Sequence, residues 1–211
     1  MYNPPAFRED RPEVLREIMR AARLALIVSA APDGGAPEAT HLPLTLHENE
    51  GPHGTLYGHV AKANPHWKGL AAAGMARAIF TGPEAYVSPS LYPSKQEHER
   101  VVPTWNYVAV HAIGPVEVIE DAERLHAIVS RLTDRQEAPR AEPWAVTDAP
   151  EAFVAAQLKG IVGIVLRIET LIGKRKLSQN RSEADRAGVV AGLAASADPA
   201  DRAVAEAMQA G

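Results

Sequence analysis

Val14, Leu15, Ile18, Met19 and Ala22 recur at the three- and four-residue spacing of one helix face. They follow Asp10-Arg11-Pro12-Glu13, a segment of capping-box form, and together predict a first helix over 11–22. Leu24–Ser29 is instead a short β-branched run that stops at the turn signal Pro32-Asp33-Gly34-Gly35. Glu38–Leu46 reads as the returning strand, so the two form a hairpin. Thr55–Lys62 alternates as a third strand with Tyr57, His59 and Ala61 on one face. Asn is a favoured N-cap and Pro a favoured first helical residue, so Asn64-Pro65 predicts a short helix over 66–73 directly after that strand.

Further along, Ala76–Thr81 and Glu84–Ser88 read as two strands interrupted by Gly82-Pro83, and Pro89–Arg100 as a loop rich in Pro and Ser. Trp105–Glu120 is the longest strand signal, alternating through Tyr107, Ala109, His111 and Ile113, with Gly114-Pro115 predicting a bulge or bend. Leu125, Ile128, Val129 and Leu132 mark a helix after Asp121, and Pro150–Leu158 marks another before Gly160. Ile161–Glu169 is the last predicted strand. A basic segment, Gly173–Arg181, and a helical tail with a cap at Asp198-Pro199 complete the chain. Six or seven short strands with helices inserted irregularly between them argue for a closed or half-closed antiparallel barrel over a doubly wound sheet. No internal repeat or linker interrupts the pattern, and no G-x-G-x-x-G or Walker A follows any strand, which removes Rossmann and P-loop readings.

Length and composition narrow the picture. The 211 residues suit one full-sized domain with a modest appendage, here a domain over 1–181 with a helical extension over 182–211. The absence of cysteine excludes disulfide scaffolds, thiolate metal sites and thiol nucleophiles. With 22 basic and 26 acidic residues, the net charge of −4 leaves no global attraction to nucleic acid, so any such contact is local. The longest apolar stretches, Leu24–Ala31 and Ile161–Leu166, are strand-sized. The opening Met1-Tyr2-Asn3-Pro4-Pro5 has neither a basic nor an apolar leader region, and the expectation is a cytoplasmic protein without membrane contact.

Candidate chemistry gathers in Gly58–Lys68. A strand-end cation, Lys62, is followed within two residues by a capped helix start, and free N–H groups at the positive end of a helix dipole favour a phosphate. The alternative is a solvated lysine beside a satisfied strand histidine. Tyr86, Ser88, Ser90, Tyr92 and Lys95 lie at the start of one loop and Trp105, Asn106 and Tyr107 follow it. Aromatics and amides beside a phosphate pocket suit a planar heteroaromatic ligand, although each aromatic alone also reads as core. The eight histidines raise His59 with His66, or His41 with His111, as metal or haem ligands, but no H-E-x-x-H spacing is present and no metal site is assigned. Lys174-Arg175-Lys176 is the concentrated positive patch, read as a DNA or phosphate contact or as a solvated face.

Five blocks carry a resemblance. They are Tyr2-Asn3-Pro4-Pro5-x-Phe7, Gly58-His59-Val60-Ala61-x-Ala63-Asn64-Pro65, Tyr86-Val87-Ser88-Pro89-Ser90-x-Tyr92, Val102-Pro103-Thr104-Trp105-Asn106-Tyr107-x-Ala109-Val110-His111 and Gly173-Lys174-x-Lys176-Leu177-Ser178-Gln179-Asn180-Arg181. In this order they resemble the PaiB family of FMN-binding negative transcriptional regulators. Leu91 departs from the family's usual Trp and loosens one aromatic contact. The resemblance implies a mainly β, FMN-binding split barrel related to pyridoxamine 5′-phosphate oxidase and flavin reductases. That fold is a six- or seven-stranded antiparallel Greek-key barrel with flanking helices and a C-terminal helical tail. It also implies a homodimer with non-covalent FMN at the subunit interface. The matching positions are Thr40, His41 and Leu42 on one strand, and His59, Val60, Lys62, Asn64 and His66 on the next strand and helix start. Trp105, Asn106, Lys176, Ser178 and Gln179 are expected at the isoalloxazine end and the dimer seam. The function implied is negative transcriptional regulation, directly or through a partner. The alternatives are a small FMN-dependent oxidoreductase, a haem-binding split barrel and an interaction domain that has lost its cofactor.

Overall fold

The alternation of apolar and polar residues becomes nine strands and seven helices in the computed structural model, which describes residues 1–210. In chain order these are β1 (Arg8–Glu9), α1 (Pro12–Ala21), β2 (Ala25–Ser29), β3 (Glu38–Leu42), β4 (Thr45–His47), β5 (Thr55–Ala61), α2 (His66–Ala73) and β6 (Met75–Val87). There follow α3 (Ser94–His98), β7 (Thr104–Ile119), α4 (Ala122–Glu137), α5 (Glu151–Leu158), β8 (Ile161–Arg167), β9 (Thr170–Lys176), α6 (Glu183–Ala194) and α7 (Pro199–Gln209). The strands hydrogen-bond in the order β3-β2-β6-β7-β8-β5-β4, and β9 pairs with β1 and β7. The path ends at β3 on one side and β4 on the other.

The chain forms two compact units, whose boundaries fall inside α1, β6, β7 and β9. The larger unit comprises residues 19–80 and 111–171. Here β2 buries Ala25, Ile27 and Ser29, and β5 buries Leu56, Gly58 and Val60, the period-two signature of strands with one face inward. On the opposite face of β5 and β8, Ile119, Leu125, Ile128, Leu158 and Val165 pack together, with Tyr57 against them. Asp121 caps α4 by accepting from the Arg124 N–H. Gly163 lets that helix come close, because a Cβ there would meet Ile128, Leu125 and Ile119 at 3.0–3.2 Å.

The smaller unit holds residues 1–18, 81–110 and those from 172 onward. Its core joins Val87, Tyr92, Val108 and Leu177 to Val189, Leu193, Val204, Ala205 and Met208 of α6 and α7. The C-terminal helices therefore supply half of an apolar core. The side chain of Asp185 on α6 is nearly enclosed and accepts from both the N–H and the hydroxyl of Ser94, which ties α3 to the helix.

Four local expectations change. The returning strand of the first hairpin ends at Leu42, and Thr45–His47 pairs with β5 instead of β2. Pro43, which has no N–H to give a ladder, stands at the break. Gly82-Pro83 does not interrupt β6, where the missing side chain at Gly82 admits Val108. The 89–100 segment is ordered into a 3-10 turn and α3. The first half of the basic segment is strand β9, paired with β1 through Arg8 opposite Lys174.

Candidate functional site

Within the larger unit, β3, the turn after β5 and the start of α2 bring Thr40, Asn64 and His66 together. The His66 ring is 4% exposed, with Nε2 3.1 Å from Ser29 Oγ and Nδ1 2.8 Å from Thr40 Oγ1. Asn64 Nδ2 donates to Thr40 Oγ1 at 3.2 Å, and Asn64 Oδ1 accepts the His66 N–H at 3.0 Å. The donor inventory assigns the proton positions. Thr40 accepts from Asn64 and so gives its own proton to His66 Nδ1, while Nε2–H donates to Ser29, whose hydroxyl faces the Ala30 carbonyl. His66 is neutral in this chain of bonds, in keeping with burial pushing its pKa down against the opposing pull of Glu38.

The remaining members of that set are distributed by strand alternation. Leu42 and Val60 point into the core, leaving only their backbone for a ligand, whereas His41 is exposed. His59 lies on the outward face of β5; burial lowers its pKa, and its Nδ1 is enclosed without a hydrogen-bond partner. Lys62 Nζ pairs with Glu120 Oε2 at 2.7 Å, both side chains being about half exposed, and the Lys62 carbonyl accepts from the Trp67 indole.

The other predicted residues belong to the smaller unit. Asn106 is fully enclosed and exchanges hydrogen bonds with Ser178, Nδ2 to Oγ at 3.0 Å and Oγ back to Oδ1 at 3.2 Å. Ser178 is one of two non-glycine residues with positive φ among the described residues, at 63°. Gln179 closes the same turn by accepting the Leu177 N–H at 2.8 Å and donating to the Arg175 carbonyl. Lys176 Nζ donates to Thr104 Oγ1 at 2.6 Å and to the Trp105 carbonyl; burial and the charges of Lys174 and Arg181 lower its pKa. Trp105 itself is 54% exposed and stands edge-on to Tyr86 with ring centres 6.0 Å apart, a surface open to stacking.

Lys174 and Arg175 turn inward. The Lys174 ammonium donates to the Tyr2 carbonyl at 3.0 Å and sits against the rings of Tyr2 and Tyr107. Arg175 donates to the Ala207 carbonyl at 2.8 Å and lies 3.5 Å from Glu9, which Arg11 grips through both carboxylate oxygens. Sequence reading missed Ser29 and Glu9, because nothing local links Ser29 to a histidine 37 positions away. Among the described residues, no group of three or more His, Asp or Glu converges as a metal-binding set.

With this geometry in place, the relatives become informative. The family described as "Putative FMN-binding domain" matches residues 1–170. The "Protease synthase and sporulation protein PAI 2" of Bacillus subtilis is 32% identical over 209 residues, spanning 99% of this chain and 97% of its own. The chain belongs to the PaiB family. Solved structures place this PaiB-family chain in the split-barrel fold. The FAD- and haem-binding protein from Mycobacterium smegmatis aligns with a TM-score of 0.61 at 19% identity, covering 85% of this chain and 78% of that one. The "putative 5-nitroimidazole antibiotic resistance protein" of Bacteroides thetaiotaomicron aligns with a TM-score of 0.58 at 14% identity, covering 79% of this chain and 85% of that one. At such identities the likeness speaks to the fold alone. No helix among the described residues is long and apolar enough to cross a membrane.

Proposed function

We propose that this PaiB-family chain binds FMN non-covalently and works as a negative transcriptional regulator, assembled as a homodimer. The observation that carries the reading is the near full-length match to the Bacillus subtilis relative together with the FMN-binding-domain match over residues 1–170. The residues of the larger unit fit an anionic cofactor. Lys62 is restrained only by an exposed carboxylate, the α2 N-terminus adjoins it, and the enclosed Nδ1 of His59 still needs a hydrogen-bond partner. Lys62 and the exposed His41 would meet the phosphate end, while Thr40, Asn64 and His66 hold β3 and α2 at fixed spacing. When bound, FMN supplies redox-active isoalloxazine chemistry.

Regulation through DNA contact at Lys174, Arg175 and Lys176 would have to release side chains that already hold Tyr2, Ala207 and Thr104. The reading therefore favours repression exerted through another surface or through a partner protein. The deciding experiment is an absorbance spectrum of the purified chain followed by FMN titration with fluorescence readout. The expected result is flavin bands and saturation at one FMN per chain. A Soret band would replace FMN with haem, and NADPH turnover well above that of free FMN would replace the regulator with an oxidoreductase. Failure to bind either group would overturn the cofactor reading.

A further inference from the structure

Strand register and helix spacing in the larger unit create a second polar cavity. Thr45 stands directly across from Tyr57 in the β4–β5 ladder and His47 across from Thr55, so Thr45, His47 and Tyr57 share one sheet face. Arg124, Ala127, Ile128 and Arg131 of α4, spaced i, i+3, i+4 and i+7, form one helical stripe over it. The gap between them, with Ile119 also in its wall, is a cavity of about 170 Å³. That is close to the roughly 150 Å³ of an apolar cavity known to admit benzene. None of these residues belongs to the set considered for FMN.

Its polar groups are incompletely paired. Thr45 Oγ1 is enclosed and has no hydrogen-bond partner. Arg124 is committed to Glu117 at 2.6 Å, but Arg131 Nη1 faces only His47 Nδ1, at 3.3 Å. The same nitrogen lies 3.1 Å from Glu50 Oε1, and Glu50 also accepts from the Tyr57 hydroxyl at 2.6 Å. One ring nitrogen cannot donate to Glu50 and accept from Arg131 together. Glu50, its pKa held low chiefly by the Tyr57 hydrogen bond and also by the Arg131 charge, competes with Arg131 for that nitrogen, and the exposed guanidinium has no other hydrogen-bond acceptor among the described residues, so its remaining N–H groups face solvent.

We propose that this cavity binds a small carboxylate carrying a single ring or an apolar group of similar size. Arg131 takes the carboxylate and the Thr45 hydroxyl donates to it. The apolar part rests against Ile119, Ala127 and Ile128. A guanidinium with N–H donors open to solvent and an unpaired hydroxyl at an apolar wall select for both features at once, since a charge without a ring leaves the wall wet and a ring without a charge leaves those donors to water.

Benzoate serves as the probe, titrated into the full chain by calorimetry or protein-observed NMR. One saturable site per chain is expected, with Arg131→Gln weakening it by roughly tenfold to a hundredfold, the range of a lost charge-assisted contact, and Ala127→Phe weakening it by filling the space the ring would take. Both positions are on the solvent-facing helix, and unchanged thermal unfolding midpoints will show that the variants fold. Acetate and benzyl alcohol should bind far more weakly than benzoate, and saturation with FMN should leave the benzoate affinity unaltered. No saturable binding, equal binding by both variants, or competition between benzoate and FMN would each overturn the proposal, the last by placing benzoate in the flavin site.

Discussion

Lys62 is where residue chemistry makes the sharpest statement about cofactor binding. Its pairing with Glu120 is an exposed one and is worth little, so the ammonium is available to a phosphate. Lys62→Ala is expected to weaken FMN binding by about 1.5–3 kcal/mol, one charge-assisted contact, and Glu120→Gln to strengthen it, both read by fluorescence titration. An affinity indifferent to both changes would mean the phosphate lies elsewhere. His66 behaves differently. The motif Asn64-Pro65-His66 was visible in the sequence, but it was read as part of a phosphate site, whereas in the fold both ring nitrogens are committed to hydroxyls of β2 and β3. Its partners come from strands that only the tertiary arrangement brings alongside.

At the scale of elements, helix boundaries followed local rules and strand continuity did not. Asp198 accepts the Ala200 N–H at 2.8 Å and caps α7 ahead of Pro199, as the dipeptide predicted. Asp198→Ala should therefore cost about 1 kcal/mol, seen as a small drop in the urea midpoint. Gly114 offers the contrast. It read as a bulge or bend, and β7 continues past it; what the sequence did not show is that β8 passes so close that a Cβ would sit 1.7 Å from the Arg167 carbonyl oxygen. Overpacking a core typically costs about 1–3 kcal/mol, and backbone on backbone leaves little room to relax, so Gly114→Ala is expected at or above the top of that range. A stability within experimental error of wild type would refute the close crossing. A glycine's role as hinge or as contact point is decided by what faces it, and that partner is 53 residues away in sequence.

For the whole molecule, acid should be the weak side. His111 is held at about 4, below its ordinary 6.5, first by burial and then by the charge of Arg77, and its Nδ1 is enclosed without a partner. His59 and His66 are also pushed down by burial. The folded chain keeps these imidazoles neutral, while the unfolded chain protonates them near 6.5. Stability is thus full above that value and declines as pH falls from 6.5 towards 4, where the unfolded state binds more protons. Glu9, held at about 2 chiefly by the Arg11 hydrogen bond, adds a separate loss between 4.5 and 2. Urea midpoints measured from neutral pH down to about pH 4 should fall, and His111→Gln should flatten that slope. A slope identical in the variant would remove His111 as its source.

Periodicity, caps and the order of the five motif blocks were enough to establish a mainly antiparallel split barrel, most of its helices and its family, because each is a local property or a linear sequence of local properties. The split of the hairpin at Pro43, the inward turn of Lys174 and Arg175, the neutral His66 network and the Arg131 cavity were not legible. Most of them depend on which distant segment packs against a residue: Tyr2 against Lys174, Ser29 against His66, α4 against Thr45 and Tyr57; the split at Pro43 turns instead on a nearer choice, β4 pairing with the following β5 instead of with β2. Charge and side-chain type are written along the chain, but whether a cation is solvated, paired or left wanting an acceptor is settled only when tertiary packing chooses its neighbours.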